Sequence, residues 1–358
     1  LNYLFDLNHP AHFHLFKNSI QALKKSGHNV FITARPKDVL LQLLMHSGLK
    51  YILLDKSKNL VFEHIVNVFS MYQIFRTNSI DIAIGVSIYI AQASKLCKTK
   101  SIVFDDDDIS VTRLFALLSH TFANNVFSPL VLMKERNRQK DIFHNSLHEL
   151  AYLHPNYFRP RQNILNKYQL HKNEFFSILR LSALKAHHDR GEEGLTVNQC
   201  LKLINELEKY GRVLISSEIE MPEIQSRYYS IEPSDFHDVM SYSGILVCDS
   251  QTVASEASVL GVPSVRINSF VGRISVLEEL ENKYHLTFGF KPKCFDEALN
   301  KIKELIISKD TKGKFKKKRT HLIDDKIDLT AFFLWFIENY PKSITKVMEN
   351  NNYQYNFK

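Results

Sequence analysis

Three histidines fall within six positions in Asp6-Leu7-Asn8-His9-Pro10-Ala11-His12-Phe13-His14, directly after the apolar run Leu1–Phe5. Asn8, His9, His12 and His14 thus stand where a strand hands over to a helix, which is where open α/β sheets bind ligands. Imidazoles so placed can ligate zinc, take a proton near neutral pH, or cap and pack the helix. No matching carboxylate pattern sits nearby, so zinc is the weakest of the three. A second cluster, Asp105-Asp106-Asp107-Asp108, follows the apolar run Ser101–Phe104. Consecutive carboxylates there can hold a divalent cation, bind an acceptor or cap the next helix. The third is Cys248-Asp249-Ser250-Gln251-Thr252-Val253-Ala254-Ser255-Glu256. Asp249, Ser250 and Thr252 can cap a helix of small residues whose free N–H groups would accept an anion. Glu256 lies one turn further along the same face as Thr252, where its carboxylate can accept hydrogen bonds from ribose or sugar hydroxyls. Capping and close packing explain Ala254, Ala257 and Ser258 but not Glu256.

These residues need strands and helices to position them. Candidate strands in the first third are Asn2–Leu7, Asn29–Thr33, Tyr51–Leu54, Ile82–Ile84, Ser101–Phe104 and Asn125–Phe127. Amphipathic segments alternate with them: His12–Lys25, Lys37–His46, Leu60–Arg76, Tyr89–Leu96 and Val111–Phe122. Such β-α repetition predicts a parallel, doubly wound sheet. Met133–Lys172 breaks the rhythm: it is polar, carries Pro155 and Pro160, and reads as a crossing between domains. A second α/β series starts at Phe175 and runs to Phe295–Ile307, with a last helix at Leu329–Asn339. The expected division is a first domain 1–150, a linker 151–172, a second domain 173–328, and a helix and tail 329–358 returning to the first domain. Two Rossmann-like domains in tandem imply a cleft between them. No glycine-rich GxGxxG follows any strand, which argues against an ordinary NAD site.

Bulk properties narrow the function classes. With 358 residues the chain is too long for one ordinary core. Hydrophobic content of 44% and charged content of 23% are those of a soluble globular protein. No apolar run reaches the roughly 18 residues that span a bilayer, and there is no signal-peptide pattern. The sequence starts at Leu1 rather than methionine, so a few residues are expected to be missing there. Cys97, Cys200, Cys248 and Cys294 are scattered, which fits a reducing cytosol and neither a disulfide framework nor a cysteine zinc site. A net charge of +8 favours anionic partners. The densest basic run, Lys312–Arg319, reads as a solvated helix end or loop, or as a patch for acidic lipid headgroups. No zinc-finger, RNA-binding or helix-turn-helix pattern accompanies it, so nucleic acid is not expected as a partner.

The Cys248–Phe270 segment resembles the donor-binding segment of two-domain sugar-nucleotide enzymes, the MurG-type glycosyltransferases and the non-hydrolysing UDP-GlcNAc 2-epimerases. Nearly the whole chain resembles the prokaryotic family labelled domain of unknown function 354, regarded as sharing their GT-B architecture. The matching segments are DLNHPAHFHLFK, SIVFDDDD, HELAYLHPNYFRP, AHHDRGEEGL, YGRVLISSE, CDSQTVASEASVLGVPS and DKIDLTAFFLWFIENYP. The chain departs from the usual pattern where Asp107-Asp108-Ile109 replaces Thr-Glu-His and Cys248-Asp249 replaces Gly-Glu.

This resemblance implies a sugar-nucleotide-dependent glycosyltransferase in cell-surface polysaccharide or glycolipid synthesis. It implies a cytoplasmic enzyme, peripheral at the inner face of the membrane, needing neither metal nor cofactor because the nucleotide sugar is a substrate. Donor contacts would come from Arg180, Ser182, Lys185, His187 and His188 facing the diphosphate, and from Ser217 and Glu218. His237, Asp249, Ser250, Gln251, Thr252 and Glu256 would complete that side. Asn8, His9 and His14 would line the acceptor side, with a glycan or lipid-linked acceptor. His12, at the place of the MurG-type cleft histidine, or Asp105 or Asp106 would take the acceptor proton. Weak contact with an acidic membrane would use Leu60–Arg76 or Leu114–Phe127 near Lys312–Arg319. The alternatives are a UDP-sugar 2-epimerase, whose early Gly-Thr-Arg-Pro-Glu loop is missing here, and a non-catalytic nucleotide-sugar or glycan-binding protein.

Overall fold

Apolar runs bounded by glycine and polar turns become the buried strands of two parallel sheets, because a strand covered on both faces needs apolar residues at successive positions. The computed structural model describes residues 1–55, 59–136, 138–171, 174–182, 194–218, 222–225 and 231–358. Lys185, His187, His188 and Tyr228–Ser230, a segment of the second α/β series, lie outside the described residues. The chain divides into unit 1, Leu1–Tyr157 with Lys326–Lys358, and unit 2, Phe158–Asp325.

Unit 1 holds seven parallel strands: β1 (Asn2–Leu7), β2 (Asn29–Ala34), β3 (Ile52–Leu53), β4 (Ile82–Gly85), β5 (Lys100–Phe104), β6 (Asn125–Pro129) and β7 (Asp141–His144). Their spatial order is β3-β2-β1-β4-β5-β6-β7. Side chains alternate across the sheet. Leu4, Ala83, Val103 and Val126 point to one face, where they pack with Met71, Phe75, Ile90 and Ala91 of the helices Leu60–Thr77 and Ile88–Ala93. On the other face the helices Pro10–Lys25 and Leu329–Glu338 supply Phe16 and Phe333, whose rings lie 5.0 and 4.8 Å from that of Phe104. Gly85 is required where β4 crosses closest to β1: a Cβ there would sit 2.8 Å from the Asp6 carbonyl oxygen.

Unit 2 holds β8 (Phe176–Leu181), β9 (Arg212–Ser217), β10 (Ile245–Cys248), β11 (Ser264–Ile267) and β12 (Thr287–Phe290), all parallel, in the order β12-β11-β10-β8-β9. The helix Gln251–Leu260 follows β10 and stops at Gly261, which takes φ +73°, a left-handed value suited to glycine.

Several expectations change. Residues 151–172 do not form a free linker: the buried helix Leu150–Leu153 belongs to unit 1, and the helix Ile164–Lys167, with Ile164 and Leu165 buried, to unit 2. β7 lies inside the stretch that had seemed to lack regular structure, and β12 adds an edge strand that was not anticipated. The basic run is part of the helix Thr311–Asp325, anchored by buried Phe315 and Leu322. Three of its cations are committed to carbonyls: Lys312 Nζ to Tyr242, Lys318 Nζ to His285 and Arg319 Nε to Val259, at 3.0, 2.8 and 2.6 Å. Burial lowers the pKa of each.

Candidate functional site

Strand order reverses at β1/β4 in unit 1 and at β8/β10 in unit 2, and ligands of open α/β sheets bind at the carboxyl ends of strands beside such reversals. Each unit gathers polar side chains there.

In unit 1, Asp6 at the end of β1 is fully buried and accepts from Thr33 Oγ1 at 2.8 Å and Asn8 Nδ2 at 3.2 Å. Burial raises its pKa; hydrogen bonds from Ser87 and Thr33 and the charge of Arg35 oppose the rise. Asn8 also reaches the Val86 carbonyl on the far side of the reversal, at 3.4 Å. His9 is the helix cap: its Nδ1 accepts from Ala11 N at 3.2 Å, with Pro10 at the first helical position. The helix therefore starts earlier than the apolar pattern suggested. His14 stacks on Tyr152 at 5.3 Å, a packing role.

His12 differs from both. The Asn8 backbone N–H donates to its Nδ1 at 3.2 Å, so the neutral ring carries its proton on Nε2. Burial, then the charges of His9, Lys37 and His148, hold its pKa well below the ordinary histidine value, while Asp106 opposes them. At neutral pH His12 is a hydrogen-bond donor with its acceptor nitrogen already used. That is a poor arrangement for a base.

The acidic cluster splits by role. Asp105 is 2% exposed and takes Arg136 Nη2 and His120 Nε2 on one oxygen, each at 2.8 Å. Arg136, itself fully buried, also donates to the Asp105 carbonyl at 3.1 Å, to Ser128 Oγ at 2.6 Å and to the Asp107 carbonyl. So engaged, Asp105 holds the loop and is not available as a base. Burial raises Asp107 well above the usual carboxylate range, reinforced by Asp106 and Asp105. Carboxylate oxygens of Asp105, Asp106 and Asp107 lie within 4.8 Å of one another, a spacing a cation can bridge, yet the Arg136 guanidinium already pairs with the first.

Asp106 faces His148, with Oδ2 3.1 Å from Nδ1. Burial works to raise its pKa, but the charge and hydrogen bond of His148 outweigh it and keep Asp106 below its ordinary value. With Nδ1–H directed at Asp106, the lone pair of neutral His148 lies on Nε2, a buried atom with no hydrogen-bond partner among the described residues. A carboxylate-oriented imidazole whose second nitrogen is unpaired has the build of a general base once an acceptor hydroxyl reaches it. Behind it, His144 stacks at 6.1 Å and is held well below the ordinary histidine pKa, mainly by burial. His148 was not singled out from the sequence. Its signal was fainter than that of His12: a histidine just past a short, half-polar strand, in Phe143-His144-Asn145-Ser146-Leu147-His148.

In unit 2, Ser250 caps the Gln251–Leu260 helix through Oγ, which accepts from Val253 N at 3.4 Å. Gln251 and Thr252 fill its first turn. Asp249 Oδ1 accepts from Ser182 N at 2.7 Å and Ser182 Oγ at 2.8 Å, tying the β8 and β10 loops across the reversal. Burial pushes the Asp249 pKa up to about 6 despite those bonds. Glu256 pairs with His237, Oε1 to Nε2 at 2.9 Å, and both side chains are less than a tenth exposed. Arg180 is held by Ser216 Oγ at 2.8 Å and by Glu218, both at the end of β9 beside Ser217, rather than projecting free toward a ligand. Ser182, Asp249, Ser250, Gln251 and Thr252 therefore meet around one helix start, Glu256 and His237 pair one turn further along, and Arg180 turns with Ser217 and Glu218 to the neighbouring strand end.

No family model matches the sequence, and no curated protein matches it. Solved structures do. Staphylococcus aureus MnaA in complex with UDP is 11% identical with a TM-score of 0.70, over 96% of this chain and 98% of that one. UDP-GlcNAc 2-epimerase from Neisseria meningitidis, bound to UDP-GlcNAc, is 13% identical with a TM-score of 0.67, over 90% and 99%. The glycosyltransferase VinC in complex with dTDP is 11% identical with a TM-score of 0.62, over 97% and 100%. The chain thus has the two-domain α/β, GT-B-like fold that these epimerases and glycosyltransferases share.

Proposed function

We propose that the protein is a sugar-nucleotide-dependent glycosyltransferase, with the donor held by unit 2 and the acceptor by unit 1. The observation that carries this reading is the Asp106–His148 pair, at the carboxyl edge of a sheet separate from the one bearing the Gln251–Leu260 helix start. Nε2 of His148 takes the proton of the acceptor hydroxyl as the glycosidic bond forms, and ionised Asp106 stabilises the imidazolium. His12 Nε2–H orients the acceptor. The N–H groups around Gln251–Val253 and the positive helix end stabilise the departing nucleotide diphosphate. Glu256, set against His237, accepts from the ribose hydroxyls. The acceptor is a glycan or lipid-linked glycan of cell-surface polysaccharide or glycolipid synthesis, handled on the cytoplasmic side. Asp105 is committed to Arg136, which favours chemistry without a metal bound at the acidic loop.

A 2-epimerase is the second reading, supported by the epimerases among the structural neighbours. Against it stands the absence of the Gly-Thr-Arg-Pro-Glu loop from the β1 turn, where Leu7-Asn8-His9-Pro10-Ala11 occurs instead. Incubation with a panel of nucleotide sugars separates the two. Nucleotide diphosphate release that depends on added acceptor supports transfer, epimerised sugar without acceptor supports the second reading, and binding without turnover removes both.

A further inference from the structure

Arg266 of β11 is fully buried near the carboxyl edge of the unit 2 sheet, in register with Cys248 of β10 and Gly289 of β12. Its Nη1 donates to Asn268 Oδ1 at 3.4 Å, while Nε and Nη2 have no hydrogen-bond partner among the described residues. The carboxylates whose charge reaches it are spent elsewhere. Both oxygens of Glu281 accept from Gly289 N at 3.0 Å, and those of Glu278 accept from Gly272 N and Asn282 Nδ2, each at 3.2 Å. Gly289 leaves room for the guanidinium: a Cβ there would sit 3.1 Å from Arg266 Nη2. Burial and the neighbouring Asp249 push the Cys248 thiol up to about 12, so it stays neutral and supplies no counter-charge. Burial also lowers the pKa of Arg266, but a guanidinium keeps its proton in proteins. A buried charge without an ion-pair partner is costly, so its place in the fold calls for a use.

The link runs through Asn268. Its Oδ1 accepts from Arg266 Nη1 and from Phe270 N at 3.1 Å, which turns Nδ2 toward the Asp249 carbonyl at 2.7 Å. That carbonyl belongs to the turn that opens the Gln251–Leu260 helix. We propose that Arg266 is a positioning residue for the nucleotide diphosphate, holding the Asp249 turn through Asn268 and supplying a buried positive charge beside the helix start. This inference rests on the reading of that helix start as the donor site. Because Arg266 is buried before the donor arrives, it acts through its field and costs no ordering on binding. Salt screens such a charge far less than a surface lysine, and it adds to the positive end of the helix. It also offsets the Asp249 carboxylate on the same turn. A charge so placed favours the phosphates and is indifferent to base and ribose, so it selects diphosphates over uncharged nucleosides.

The test is titration calorimetry of UDP and of uridine into the full chain as wild type, Arg266→Met and Arg266→Gln, with thermal unfolding of each. Methionine fills the space without charge; glutamine offers a donor toward Asn268, again without charge. UDP affinity should fall about tenfold or more in both variants, because a cation acting on an anion through a low-dielectric interior is lost. Uridine affinity should stay within about twofold of wild type. The thermal midpoint of Arg266→Met should equal or exceed that of wild type, since an apolar side chain relieves a buried charge without an ion-pair partner. An arginine with a purely structural role would lower it. Equal UDP affinity in wild type and both variants, UDP and uridine weakened alike, or a lowered midpoint in both variants would overturn the assignment of Arg266 and leave the donor site standing. Absence of UDP binding to wild type would overturn the donor reading, and this inference with it.

Discussion

Replacing Asp249 with asparagine should stabilise the protein above about pH 6 and leave its stability nearly unchanged near pH 4. Asp249 is 2% exposed, and burial holds its pKa at about 6 against an ordinary value of 3.8. The folded state therefore binds its proton more tightly than the unfolded chain does. Stability is highest below the unfolded value, falls as pH rises from 3.8 through about 6, and is flat beyond it. That displacement corresponds to about 3 kcal/mol of destabilisation at neutral pH, at ~1.4 kcal/mol per pH unit. Asparagine retains an Oδ1 that can accept from both Ser182 N and Ser182 Oγ, without the buried charge. Urea unfolding of wild type and Asp249→Asn at pH 4.0, 6.0 and 7.5 measures the difference, because the other titrating groups are common to both. We expect a gain of roughly 2–3 kcal/mol at pH 7.5 and under about 0.5 kcal/mol at pH 4. A variant less stable than wild type at pH 7.5, or a difference that does not change with pH, would refute the reasoning. A carboxylate beside the helix start proposed to hold the diphosphate also opposes phosphate. Nucleotide diphosphate binding should therefore take up a proton between pH 6 and 7, read as a buffer-dependent heat in calorimetry and lost in Asp249→Asn.

Other predictions follow from the unit 1 loops. His148→Gln should lower kcat by about 10²–10⁴-fold with donor affinity within about twofold of wild type, measured by steady-state kinetics and calorimetry. Asp106→Asn should lower kcat less, because the imidazole remains but loses the charge that stabilises its protonated form; equal activity in both variants would return the base to another residue. His12→Gln, which keeps a side-chain donor, should retain more activity than His12→Ala, mainly through KM for the acceptor; an equal collapse of kcat in both would restore His12 as the base. Arg136→Met should destabilise by about 3–5 kcal/mol in thermal or urea unfolding, because Asp105 is left buried without its guanidinium partner.

Much of the fold was legible in the sequence because both sheets are parallel and buried. Each strand then appears as a short apolar run, and each helix as a longer periodic one, as at Asn2–Leu7 followed by Pro10–Lys25. β7 escaped because Asp141-Ile142-Phe143-His144 is short and half polar, Asp141 being buried against Arg138 and His144 by stacking on Phe127. The start of the first helix was displaced because histidine is not among the ordinary caps, yet His9 caps through Nδ1. Charged residues were the least legible. The run at Lys312–Arg319 looked free, but its reach to carbonyls of Tyr242, His285 and Val259 comes from residues far away in sequence. The aspartate cluster likewise looked uniform, whereas Arg136 fixes Asp105 and His148 orients Asp106. Such roles depend on long-range pairing, which spacing along the chain does not encode.

The most direct measurement for the proposed donor site is titration calorimetry of UDP and dTDP into wild type and Glu256→Gln, a substitution close in shape and able to keep a hydrogen bond to His237. One nucleotide diphosphate should bind per chain. Its affinity should fall at least about tenfold in Glu256→Gln, the usual loss for a charged hydrogen bond, with the thermal midpoint unchanged. Absence of nucleotide binding to wild type, or equal affinity in the two proteins, would contradict a nucleotide-sugar site at the Gln251–Leu260 helix.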